Sequence, residues 1–208
     1  MMAMTDYLAE IEFAASNVIP IVWRERNRLR ELEAEVASLT KLVEDNYRRA
    51  ECVAMNAEDP DDVAMATGRY WDNYFGDDKE RYYKDKDRAK LIEQIAAHAL
   101  SIGSLAGSLL QYAKQGISLA HGGFANCPNG RSIGTQFLKD VIWQGRNQGI
   151  HWEEGKLHPS IQQCFEKLVK EADPKFADYK TRSMAVDVVE LLGWTDFAKF
   201  WTDMVSLA

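Results

Sequence analysis

The chain has 208 residues, a formal charge of −7 and a hydrophobic fraction of 46%, which is ample for one large domain or a domain with an extension. The acidic balance argues against a dedicated DNA-binding face, though not against an enzyme that touches a few phosphates transiently. Cys52, Cys127 and Cys164 lie far apart with no C-x-x-C pair, so a disulfide framework or zinc site is not expected and a reducing, cytoplasmic setting is.

Thr5 to Asn17 has a helical pattern with Thr5 as a plausible N-cap, and Pro20 is expected to interrupt or kink the helix beyond it. The region beginning with Asp6 and Glu10 has no basic or apolar leader pattern. From Ile21 to about Met55 the pattern is again helical. Leu29, Val36 and Val43 fall at heptad position a, and Leu32, Leu39 and Asn46 at d, a seam that can pair within the chain as an antiparallel hairpin or between chains. Arg24, Arg26, Arg28 and Arg30 spread around this helix among Glu25, Glu31, Glu33 and Glu35, which reads as a solvated face.

Asp59-Pro60-Asp61-Asp62 reads as a turn and helix start. Tyr70, Trp71, Tyr74 and Phe75 cluster at helical spacing, a pattern more typical of a core than of base stacking. After Gly76 a long helix is expected over Lys79 to Leu119. Its stretch from Gln94 to Ala113 carries no charge, but His98, Ser101, Ser104, Ser108 and Gln111 mark it as a buried central helix rather than a membrane span. Gly103 and Gly107 share a face and would allow close helix approach. His121-Gly122-Gly123 ends this helix, and Asn126 to Gly130 is a loop. A further helix is expected from about Ile133 to Glu154, capped by Gly155. His158-Pro159 opens another, and shorter helices fill Thr181 to Leu192 and Thr195 to Ser206. No alternating strand pattern stands out, so the fold class is all-α.

The helix over 133–154 carries the most chemistry. Asp140, Gln144, Asn147, His151 and Glu154 form one polar stripe, opposite Leu138, Val141, Ile142, Gly145, Gly149 and Trp152. Within it, Arg146-Asn147-Gln148-Gly149-Ile150-His151 brings together a proton shuttle, a permanent cation and an amide. A histidine titrates near neutrality and can take or deliver a proton. An arginine stays charged and holds two phosphate oxygens at once. Those groups suit attack of a ribose 2′-OH on its own phosphorus, without a metal, with Asn147 orienting the imidazole or the substrate. Arg146 and His151 are about 140° apart around an ideal helix, so either the arginine reaches round or a second copy completes the site.

The R-x4-H spacing, with Asn directly after Arg, resembles the HEPN superfamily of helical nucleotide-associated domains. The resemblance maps Arg146, Asn147 and His151 onto that family's ribonuclease motif. It implies a HEPN-like helical bundle over residues 61–208, with residues 1–60 as a helical N-terminal extension. It further implies a homodimeric, metal-independent endoribonuclease acting on RNA, of the toxin or defence type, with an antitoxin or other regulatory protein as partner. No cofactor is implied.

Around the motif, Gln144, His121 and His158 are candidate substrate-binding residues; His121 also suits a helix C-terminus and His158 a helix cap. His98 reads as a core histidine, and the four histidines lack a metal-ligand spacing. The rival readings are a non-catalytic HEPN-like interaction module and a coiled-coil structural protein, in which Arg146 would pair with Asp140 or Glu153 and His151 would be an ordinary surface histidine.

Overall fold

A computed structural model of the chain describes residues 1–55, 71 and 75–208. The architecture is all-α. Helix α1 spans Met4–Met55 and α2 spans Asp77–His121. A 3-10 turn at Phe124–Asn126 leads to a hairpin of two-residue strands, β1 (Ser132–Ile133) and β2 (Gln136–Phe137), paired antiparallel with Ser132 opposite Phe137. Next come α3 (Leu138–His151), a 3-10 turn (Trp152–Glu154), α4 (Pro159–Glu171), a 3-10 segment (Pro174–Lys180), α5 (Ala185–Leu192) and α6 (Phe197–Val205).

The chain divides into two compact units, residues 1–26 with 100–208, and residues 27–99. The division expected near residue 60 lies outside the described residues, as do the Asp59-Pro60-Asp61-Asp62 turn, Tyr70 and Tyr74.

In the first unit, the start of α1 belongs to the core. Met4, Tyr7, Leu8, Ala15, Ile19 and Val22 are buried. The Tyr7 hydroxyl donates to the Tyr112 carbonyl at 2.7 Å, and Trp23 Nε1 donates to the Trp194 carbonyl at 2.7 Å. This packing corrects two expectations. The helix begins at Met4, so Thr5 lies inside it and is not its cap. It also continues past Pro20 without the interruption that was one of the two expected outcomes. A mid-helix proline costs about 3 kcal/mol; burial of Ile19 and Val22, worth about 1.5–3 kcal/mol per side chain, offsets that cost.

The stretch from Gln94 to Ala113 is buried only toward its end, where Ile102, Ala106, Leu109, Leu110 and Ala113 face inward and Leu100 is 74% exposed. No helix among the described residues is long and apolar enough to cross a membrane. Gly103 and Gly107 face open space, contrary to the expected close approach. The tight contact on α2 is at Gly116, where an added Cβ would stand 2.8 Å from the Tyr7 ring.

The C-terminal helices are tied by ion pairs whose carboxylates are largely enclosed. Arg131 chelates Asp203 through Nε (2.7 Å) and Nη2 (2.9 Å), and Trp194 Nε1 donates to the same carboxylate at 2.8 Å. Arg26 donates to Glu190 at 2.8 Å, so this arginine is a structural tie and not part of a solvated face, unlike the exposed Arg24 and Arg28.

In the second unit, Leu29, Leu32 and Val43 of the heptad pattern are buried within this one chain, while Val36 and Leu39 are half-buried. Trp71 and Phe75 stack at 5.7 Å and are exposed, against the expectation of a core cluster.

Candidate functional site

The motif helix α3 is set by its flanks. Gly134, with φ of 59°, makes the tight turn of the hairpin, a left-handed conformation that suits glycine. The Glu171 carboxylate accepts from the Thr135 backbone N–H at 2.7 Å and from its hydroxyl at 2.8 Å. The helix expected from Ile133 therefore starts later, at Leu138, because this Gly-Thr turn makes a hairpin instead. Asp140 accepts from the Phe137 backbone N–H at 3.1 Å and closes the first turn. After His151 the backbone tightens to a 3-10 turn and stops at Gly155, whose φ is 71°, a left-handed C-terminal stop.

Leu138, Val141, Ile142, Gly145 and Gln148 form the buried face of α3. An added Cβ at Gly145 would stand 2.9 Å from Val188, and one at Gly149 would stand 3.4 Å from Ala185. Both glycines therefore let α5 and its approach pack closely within the chain. Trp152 is half-buried, less enclosed than its place in the apolar set implied. Gln148 is fully buried: Nε2 donates to the Tyr179 and Arg182 carbonyls and Oε1 accepts from the Met184 N–H, at 2.7, 2.7 and 2.8 Å.

On the opposite side, Arg146 and Asn147 come together with two residues of α2. Arg146 Nε donates to Gln111 Oε1 at 2.6 Å, and its Nη1 donates to Asn147 Oδ1 at 3.2 Å. Lys114 Nζ donates to that same Asn147 oxygen at 3.4 Å and lies 4.6 Å from the centre of the Trp143 ring. Burial, then the neighbouring Arg146 charge, hold the Lys114 ammonium below its ordinary pKa. Among the described residues, neither cation meets a carboxylate; Arg146 pairs with neither Asp140 nor Glu153.

His151 is 43% exposed at its side chain, and its Nδ1 donates to Glu154 Oε1 at 2.6 Å. Glu154 thus holds the imidazole, while Asn147 is turned toward the two cations. Nε2 carries no hydrogen bond among the described residues. No hydrogen bond joins Arg146 to His151, as their angular separation on α3 requires.

Gln144 and His158 are brought together through a residue that the sequence did not single out. The Ser160 hydroxyl lies 2.9 Å from His158 Nδ1 and 3.3 Å from Gln144 Oε1. His158 also accepts from the Ser160 backbone N–H at 3.3 Å, capping α4 ahead of Pro159. His121 is elsewhere engaged: Nε2 donates to the Leu207 carbonyl at 2.6 Å, a tie to the C-terminal segment. Gln111 and Lys114 are the site residues that sequence reasoning missed. Their one signal was position, since Lys114 is the first charge after the uncharged stretch of α2.

No protein-family model, curated protein or solved structure matches this chain.

Proposed function

We propose that the chain is a metal-independent endoribonuclease whose site is the polar, half-buried face of α3. One observation carries this reading: a single helix presents a carboxylate-held imidazole and an arginine with no counter-ion among the described residues. Glu154 fixes the Nδ1–H tautomer of His151 and leaves Nε2 to accept a proton. In the proposed reaction His151 Nε2 takes the proton of a ribose 2′-OH, and the 2′-oxygen attacks the adjacent phosphorus. The 5′-oxygen of the next nucleotide leaves and takes a proton from water, giving a 2′,3′-cyclic phosphate and a 5′-hydroxyl. Arg146, preset by Gln111 and Asn147, stabilises the charge that builds on the non-bridging oxygens.

A homodimer would place Arg146 of one copy beside His151 of the other, which is the proposed answer to their separation on one helix. The HEPN resemblance adds the proposal of a toxin or defence effector restrained by a partner protein. An interaction module is the second reading, favoured by the exposed Phe13 and Leu100 of the same unit.

The test is cleavage of single-stranded RNA in EDTA, with end-group analysis. His151→Ala and Arg146→Ala should each lose activity with the fold intact, and the two variants mixed should regain part of it if sites are shared. Wild-type cleavage that His151→Ala retains, or that EDTA abolishes, would sink the proposal. Absence of cleavage by the wild type would favour the interaction module.

A further inference from the structure

The geometry points to Lys114 as a second phosphate-binding residue, which with Arg146 forms a two-cation cradle for a backbone phosphate of single-stranded RNA. The inference deepens the proposed function and rests on it for the choice of ligand, but the cradle itself stands on separate observations.

The first is convergence. Lys114 from α2 and Arg146 from α3 both donate to one neutral oxygen, Asn147 Oδ1, at 3.4 and 3.2 Å. Like charges gathered on a neutral acceptor repel, and the repulsion is strongest away from bulk water. A single anion between them removes it. The second is contrast within the same unit. Arg26 meets Glu190, Arg131 meets Asp203, Arg182 meets Asp187 and Lys175 meets Glu190. These four cations have structural work and carry a carboxylate for it; Lys139, held by the Cys127 carbonyl and the Phe124 ring, lacks one among the described residues but does not share its acceptor with a second cation. Lys114 and Arg146 are held by amides and by the Trp143 ring instead. The third is preorganisation: Gln111 fixes Arg146 at 2.6 Å, so the guanidinium is already aimed while the Lys114 link, the longest of the set, is the one an incoming oxygen can replace. The depressed pKa of Lys114, caused by burial and then by Arg146, agrees with a charge lacking an anion.

The ligand class is set by the donors. A planar guanidinium and an ammonium suit two non-bridging oxygens of one phosphate. Lys114 would thus supply, from within the chain, a phosphate contact on the arginine side of the helix, leaving His151 to the proton.

The experiment uses the full chain and a fluorescent 2′-O-methyl RNA oligonucleotide, which binds but cannot be attacked. Affinity is measured by anisotropy over a salt series for the wild type, Lys114→Gln, Lys114→Met, Lys114→Arg and a distant control, Lys170→Gln. Loss of one phosphate contact should weaken binding about tenfold and reduce the slope of log affinity against log salt by about 0.7. Lys114→Gln and Lys114→Met should both show this, Lys114→Arg should retain wild-type values, and Lys170→Gln should bind as the wild type does. Thermal melts of each variant check the fold. Wild-type affinity and slope in both Lys114→Gln and Lys114→Met would overturn the cradle, as would no measurable binding by the wild type. Binding that depends on Lys114, together with no cleavage of all-ribose RNA by the wild type, would retain the cradle and reject the nuclease.

Discussion

Gln148→Leu should be the most damaging single change on the motif helix, although it touches none of the proposed catalytic groups. The amide is completely buried and serves three backbone groups: the carbonyls of Tyr179 and Arg182 and the N–H of Met184. Leucine fills a similar volume but leaves all three without their partner. Each orphaned buried group costs about 1–3 kcal/mol, so the gross loss of the three is about 3–9 kcal/mol. Leucine's apolar burial returns about 1–2 kcal/mol of that, for a net destabilisation of about 4 kcal/mol, against the 5–15 kcal/mol of an ordinary domain. The assay is urea unfolding followed by far-UV circular dichroism. With a slope of about 2 kcal/mol/M, the midpoint should fall by roughly 2 M at unchanged slope. Gln144→Leu on the same helix is the control. Gln144 is half-buried and holds one long contact to Ser160, so its loss should stay within about 0.5 kcal/mol. Equal midpoints for the two variants would refute the reasoning, because they would show that the three contacts of Gln148 add nothing to holding α3 against the segment over 179–184.

The glycines of α2 offer a paired test. Gly116→Ala pushes a methyl to 2.8 Å from the Tyr7 ring and 3.0 Å from Met204, and should destabilise by about 1–3 kcal/mol in thermal melts. Gly103→Ala meets nothing and should stabilise the helix by about 0.5–1 kcal/mol; the opposite order of melting temperatures would contradict the packing of α1 on α2. Burial, helped by Tyr112 and Glu10, pushes the Tyr7 hydroxyl up to about 12 from 10.0. The raised folded value means that its contribution is intact below pH 10 and is lost as pH rises from 10 toward 12, so stability should fall over that window and do so less in Tyr7→Phe. Burial likewise pushes the thiols of Cys127 and Cys164 up to about 11 and about 12. At pH 8 a thiol reagent should modify the exposed Cys52 in the folded protein and reach the other two only after denaturation.

Much of the helical framework was legible because it is written in local signals. The end of α2 at His121, the His158-Pro159 start of α4 and the Gly155 stop all derive from residues within a turn of each boundary. The buried face of α3 came from the apolar period, with Leu138, Val141, Ile142 and Gly145 where the pattern put them. The failures have a common cause. Pro20, the Gly134-Thr135 turn and the Gly103/Gly107 pair each carry a local preference that distant contacts either override or leave unused. Ile19, Val22 and Trp23 hold α1 helical through its proline; Glu171 supports the hairpin turn; and none of the described residues packs on the two glycines.

The candidate site divides along the same line. The sequence by itself determined that Arg146, Asn147 and His151 lie off the core-facing side of one helix, because helical period and apolar spacing require it. It also determined that Arg146 and His151 point apart, because five residues do not complete a whole number of turns. Only the tertiary structure decided what each of these groups meets. Gln111 and Lys114 reach Arg146 and Asn147 from a helix more than thirty positions earlier, a juxtaposition that no local pattern encodes. Glu154 holds His151 because the backbone tightens into a 3-10 turn just after it, and Gly145 and Gly149 are spent on α5 because Val188 and Ala185 pack there. Periodicity assigns a side chain to a face; the neighbour on that face is chosen by packing between distant segments.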